Sequence, residues 1–205
     1  PLVIEFIRYF GLFVSKIVWR IEFHGTENIP QTSEKGLLVV ANHQTYFDPF
    51  WLCFPIHRKF RFMAWDAATE WFLIGRMIRF LGAFPVSLKG KGARRAMVEA
   101  LRSLRDGATL IIFPEGSRAF SDGKLLNFKP GAVRIALEAG VPILPVTIRG
   151  ANKVWAQDIK IPRPRKVEFF YHPVFEIPPL PEGVPEHEYA EELTEKLRMI
   201  IESKL

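Results

Sequence analysis

Two short polar clusters, each following a run of branched aliphatic residues, hold the side chains able to do chemistry. The first is Asn42-His43-Gln44-Thr45-Tyr46-Phe47-Asp48-Pro49, which follows Leu37 to Val40. A carboxylate beside an imidazole holds one ring nitrogen and leaves the other free as a base. Five residues at about 100° each put His43 and Asp48 roughly 140° apart on a helix, so only an irregular loop brings them together. Pro49 argues for a loop, since the residue before a proline is pushed toward extended backbone. Asp48 before Pro49 also has the form of an N-cap with proline at the first helical position. The plainer alternative makes His43 a satisfied polar residue at a strand end and Asp48 only a helix cap. The pair alone leaves both readings open.

The second cluster weighs against the plain alternative. Thr109 to Arg118 reads TLIIFPEGSR: a buried-strand run broken at Pro114, then Glu115, Gly116, Ser117 and Arg118. Two apolar strands that end in dense polar loops are where an open α/β sheet places its chemistry.

The elements that must position these loops follow from the pattern along the chain. Leu2 to Phe23 reads as an amphipathic helix, with Glu5, Arg8, Ser15, Lys16, Arg20 and Glu22 within roughly 160° of the wheel. Its charges argue against a membrane span, which needs about 20 largely apolar residues. Two uses stay open: packing on the protein's own core, or lying in the plane of a membrane surface. Residues 21–35 read as turns. A short helix is expected over Pro49–Ile56, a strand over Phe60–Ala64, a second amphipathic helix over Glu70–Leu81 and a short apolar segment over Gly82–Val86. Helices follow over Ala93–Arg105 and Lys129–Ala139, strands over Ile143–Ile148 and Lys166–Tyr171. A five-proline connector spans 173–185, and a last amphipathic helix spans Glu186–Lys204. The expectation is an α/β fold: a single layered domain over 23–205, with a central mixed sheet flanked by helices. An N-terminal amphipathic, membrane-associating helix in 1–22 precedes it.

Composition adds bounds. The chain has 205 residues, 48% of them hydrophobic, 18 phenylalanines and a formal charge of +6. Basic charge suits an anionic membrane surface, an acidic carrier protein, a phosphorylated substrate or nucleic acid. Nucleic acid is disfavoured because no recognition motif is present. Cys53 is the single cysteine, so no disulfide forms within the chain. His43, Asp48 and Glu115 have no clean metal-ligand spacing, so no metal is expected.

Four motifs in order carry a resemblance. Asn42 to Asp48 resembles the histidine, four residues, aspartate motif of the glycerolipid acyltransferases. Phe113-Pro114-Glu115-Gly116-Ser117-Arg118 resembles their FPEG(S/T)R block. Phe128-Lys129-Pro130-Gly131-Ala132 resembles the F-K-x-G-A element, and Val141 to Val146 the fourth block. The resemblance covers about residues 20–175 and points to the lysophosphatidic acid acyltransferases or close relatives.

The resemblance implies transfer of an acyl group from a thioester, of coenzyme A or of acyl carrier protein, to a lysophospholipid hydroxyl, with no cofactor. His43 is then the base, and Asp48 orients it and stabilises the imidazolium. Arg118 binds the acceptor's phosphate bidentately and Lys129 adds a point charge. Gly116 lets the backbone approach, Ser117 lines the same substrate site, and Glu115 holds Arg118 or an acceptor hydroxyl. A structural ion pair between Glu115 and Arg118 is the plain alternative. The implied partners are membrane lipids and the implied place is a membrane surface, peripheral or monotopic, on its cytoplasmic face. One departure bears on the acceptor. Where the family's second block continues into an acid and an arginine, this chain has Ser87 and Leu88. Other lysolipid or hydroxylated-lipid acceptors therefore stay open, as does a non-catalytic lipid-binding role.

Overall fold

The computed structural model describes residues 2–31, 35–65, 83–86 and 91–205. The helix expected over Glu70–Leu81 and the departure at Ser87 and Leu88 lie outside the described residues. A mixed sheet of seven strands forms the centre, in the order β1-β7-β6-β2-β5-β3-β4. Its strands are β1 (Glu22–His24), β2 (Leu37–Ala41), β3 (Phe60–Trp65), β4 (Ala83–Val86), β5 (Thr109–Ile112), β6 (Ile143–Arg149) and β7 (Glu168–Tyr171). All neighbours are parallel except β6 and β7.

The middle strand explains the layering. Every residue of β2 is buried. Successive side chains of a strand point to opposite faces. Leu38 and Val40 pack on one side against helices α3 (Lys91–Arg105), α4 (Gly131–Ala139) and α6 (Glu186–Glu202). Leu37, Val39 and Ala41 face the other side, among Trp51, Leu52, Ile56, Val154 and Phe169. A strand covered on both faces reads as a continuous apolar run, which is why it is so plain in the sequence. At its start the backbone passes so close to α3 that a Cβ on Gly36 would lie 2.3 Å from the Leu104 carbonyl oxygen.

Several expected boundaries move. Helix α1 covers Leu2–Val18 and stops short of Phe23, because Arg20 takes a left-handed backbone (φ 47°). The stretch read as turns contains β1, three residues that pair with β7, too short to show a period. Helix α2 (Asp48–Leu52) is one turn, shorter than expected. Asp48 is its first residue and caps nothing; its side chain turns back into the preceding loop. Helix α4 begins at Gly131, so Lys129 stands on the loop before it. A one-turn helix, α5 (Asn152–Trp155), has no counterpart in the sequence reading.

The faces of helix α1 have different surroundings. Arg8 and Ser15 of its polar side meet the protein, while Lys16 and Arg20 are exposed. Ser15 is buried and accepts the Trp51 indole N–H at 3.1 Å, and Arg8 donates to Nδ1 of His57 at 2.8 Å. Phe6, Phe10, Phe13 and Ile17 point outward, each 59–69% exposed. Among the described residues no helix is long and apolar enough to cross a membrane.

Candidate active site

Strand register brings the two polar loops together. Val40 lies opposite Ile112 in the parallel pair β2 and β5. Three residues beyond each stand His43 and Glu115. One oxygen of Glu115 accepts the main-chain N–H of His43 at 2.6 Å, and the other accepts that of Leu126 at 2.8 Å. The acid therefore spans three segments: its own, the histidine loop and the segment leading to Lys129. Burial pushes its carboxyl up to about 7, against the two main-chain donors that pull it down. The expected hold of Glu115 on Arg118 is not what forms. Both oxygens face main-chain donors, and no ion pair joins the two residues among those described.

His43 and Asp48 meet across the loop, as the spacing requires. The ring Nδ1 lies 2.9 Å from Oδ2 of Asp48, which is fully buried. The same oxygen accepts the N–H groups of Gln44 at 2.6 Å and Thr45 at 2.8 Å, and Oδ1 accepts the Thr45 hydroxyl at 2.9 Å. A carboxylate only accepts, so the ring hydrogen sits on Nδ1 and Nε2 is left as an acceptor. Phe113 stacks on the imidazole at 4.1 Å between centroids and 17° between planes. The ring is thus held by an acceptor at one edge and by an aromatic face, with its side chain 19% exposed.

Neighbouring polar residues, which the sequence reading did not assign, build the loop. The Asn42 amide continues the sheet: it donates to the Ile148 carbonyl at 2.9 Å and accepts the Ile148 N–H at 2.7 Å. Gln44 accepts the N–H of Asn152 at 3.0 Å, tying the loop to α5. A signal was present, since four polar residues in a row directly after a buried strand must find partners or remain outside.

The cations lie beside this pair. Arg118 lays its guanidinium over the Tyr46 ring, 3.6 Å from the centroid, and donates from Nη1 to the Trp155 carbonyl at 3.2 Å. Trp155 in turn meets Tyr46 edge-on at 5.1 Å. The Ala119 N–H donates to the His43 carbonyl at 2.7 Å, so the arginine loop and the histidine loop are laced together. Gly116 is exposed with φ 72°, and a Cβ there would lie 2.9 Å from Nζ of Lys129. The ammonium therefore rests against a stretch of backbone that only glycine leaves open. Ser117 is exposed on the same turn.

Other reactive groups lie elsewhere. Burial pushes the Cys53 thiol up to about 12, which leaves it no thiolate at neutral pH. Glu22, His24 and Glu168 stand close enough to share a cation at the β1–β7 edge. There the Lys166 ammonium already reaches Glu22 at 2.8 Å and Glu168 at 3.4 Å.

Residues 20–149, more than half of the chain, match the family model described as Acyltransferase. The chain belongs to the acyltransferase family. Among proteins similar to this acyltransferase is a 1-acyl-sn-glycerol-3-phosphate acyltransferase of Streptococcus pneumoniae, 34% identical, with 71% of this chain and 54% of the relative covered. One of Chlamydomonas reinhardtii is 28% identical and covers all of this chain and 62% of the relative. The crystal structure of the 1-acyl-sn-glycerophosphate (LPA) acyltransferase PlsC from Thermotoga maritima superposes with a TM-score of 0.80 at 29% identity. It covers 98% of this chain and 78% of that one. The acyltransferase chain spans about half the length of the curated relatives it matches, from 43% to 62%.

Proposed function

We propose that the chain moves a fatty acyl group from an acyl thioester to the free hydroxyl of lysophosphatidic acid, giving phosphatidic acid. The observation that carries this is an imidazole fixed at Nδ1 by buried Asp48, with Nε2 free, beside the cations Arg118 and Lys129. The names of the relatives favour the acceptor.

In this reading the acceptor hydroxyl donates to Nε2 of His43 while its oxygen attacks the thioester carbonyl. The tetrahedral intermediate collapses, the thiolate leaves, and the imidazolium returns its proton to the sulfur. Asp48 stabilises that imidazolium at the other ring edge. No acyl-serine forms, because the acceptor itself is the nucleophile. Arg118 forks onto the acceptor phosphate and Lys129 adds charge across Gly116. Glu115 contributes by holding the His43 backbone rather than by touching substrate. The thioester is that of coenzyme A or acyl carrier protein.

The chain works at a membrane surface, on the cytoplasmic side, with α1 in residues 1–22 resting on lipid and 23–205 as the catalytic unit. Support comes from the outward Phe6, Phe10, Phe13 and Ile17. A single cysteine suits a reducing compartment.

The test offers purified protein a panel of lysolipids with both thioester donors and measures thiol release and product. Phosphatidic acid from lysophosphatidic acid is the expected result. Acylation only of acceptors that lack a phosphomonoester would overturn the acceptor, and no acyl transfer to any acceptor would overturn the activity.

A further inference from the structure

We propose that the segment 153–166 is a second docking surface, which receives an anionic bilayer at the mouth of the site. The inference rests on the reading above that the acceptor is membrane-borne. Within these residues stand Lys153, Lys160, Arg163, Arg165 and Lys166 against one acid, Asp158. All five cations are exposed. Lys166 is spent on Glu22 and Glu168, but none of the other four joins an ion pair among the described residues. Asp158 is exposed and engaged by the adjoining loop, accepting both the N–H and the hydroxyl of Ser121. In the middle of the cations Ile161 is 75% exposed, and Phe120 on the adjoining loop is 53% exposed. Aliphatic and aromatic tips ringed by Lys and Arg are what the boundary between headgroups and acyl chains accommodates.

The placement of the segment gives this surface its use. At one end Trp155 touches Tyr46 and takes the Arg118 guanidinium on its carbonyl. At the other end Val167 donates its N–H to the Trp19 carbonyl at 3.2 Å, and its own carbonyl accepts the Glu22 N–H at 3.0 Å. The segment thus runs from the proposed phosphate-binding arginine to the foot of α1, whose outward apolar face includes Ile17 and Val18. The two surfaces are joined through these main-chain contacts, and a bilayer touching both would meet the site between them. An acidic protein would use the cations but would leave Ile161 without a role.

The test is cosedimentation of the full chain with phosphatidylcholine vesicles, with and without phosphatidylglycerol, for three proteins: wild type, the triple variant Lys160→Gln/Arg163→Gln/Arg165→Gln, and Ile161→Ser. Each basic residue near an anionic surface is worth about fivefold in partitioning, so the triple variant loses at least about tenfold on anionic vesicles. On phosphatidylcholine alone it binds as wild type does. Ile161→Ser weakens binding to both vesicles. Both variants keep wild-type turnover of a short-chain, water-soluble acceptor. If both variants bind anionic vesicles as wild type does, the segment is no docking surface, while the membrane reading stands on α1. A wild type that binds neither vesicle overturns the proposal and the membrane reading together. Normal vesicle binding with turnover lost only for an acyl-carrier-protein donor would make the surface a carrier dock instead, and overturn the proposal.

Discussion

Glu115 holds the backbone of His43, not its ring: the carboxylate oxygen and the histidine N–H are 2.6 Å apart. The acid of the second motif thus sets where the first loop lies, while Asp48 and the Phe113 ring orient the imidazole. A residue that reads as a substrate ligand from its motif is in this fold a buried clamp between loops.

This clamp predicts a pH dependence. The folded-state value of Glu115, about 7, lies above its ordinary 4.5, so the native chain keeps a proton that the unfolded chain releases. Its contribution to stability is complete below about pH 4.5 and is lost as pH rises through 7, a change on the order of 3 kcal/mol. Urea midpoints of wild type and Glu115→Gln at pH 5 and pH 7 check this. The wild type loses more stability than the variant over that interval; parallel behaviour refutes the assignment.

His43→Ala leaves a folded protein whose turnover falls by roughly 10² to 10⁴, since the attacking hydroxyl loses its proton acceptor. Asp48→Asn is expected to be as damaging and also to lower the melting temperature. Its amide would present a donor where the N–H groups of Gln44 and Thr45 and the hydroxyl of Thr45 converge. Near-normal turnover in folded His43→Ala would sink the mechanism.

Arg118→Ala raises the apparent KM for lysophosphatidic acid by about ten- to a hundredfold, and Arg118→Lys recovers only part, because lysine lacks the fork. An acceptor without an exposed phosphate is little affected by either. Tyr46→Leu removes the ring under the guanidinium and raises the same KM by about two- to fivefold, while Tyr46→Phe keeps the stack. Equal losses for Leu and Phe would mean that Tyr46 acts through its hydroxyl.

Replacing Phe6, Phe10 and Phe13 by serine removes three outward aromatic side chains without touching the Ser15–Trp51 or Arg8–His57 contacts. Vesicle binding should fall by at least about tenfold, given about 1.5–3 kcal/mol for each fully buried ring. The melting temperature in detergent-free buffer stays within a few degrees. Unchanged cosedimentation would move the docking surface elsewhere.

The sheet was legible where both its faces are covered. β2, and β5 after Thr109, announce themselves as apolar runs, and the loops that follow them hold every group of the site between His43 and Arg118. Less legible were contacts made at a distance and without a period. Gln44 meets Asn152 at a separation of 108 residues, and Arg118 meets Trp155 at 37. Nothing in the spacing of either motif points to α5. The role of Glu115 was hidden for the same reason, since its partners are main-chain groups that every residue carries.

The edge strand β1 has β7 as its sheet partner, Glu22 opposite Glu168, which lies 146 residues further along the chain. At typical rates of synthesis that separation is on the order of 10 s. Contacts of α1 with Trp51 and His57 come within reach much earlier than the strand that fastens its foot. The outward face of α1 is therefore on offer to a bilayer while the sheet is still incomplete. In the membrane reading proposed above, lipid capture and sheet closure are separable events, with capture the one that can come first on the ribosome.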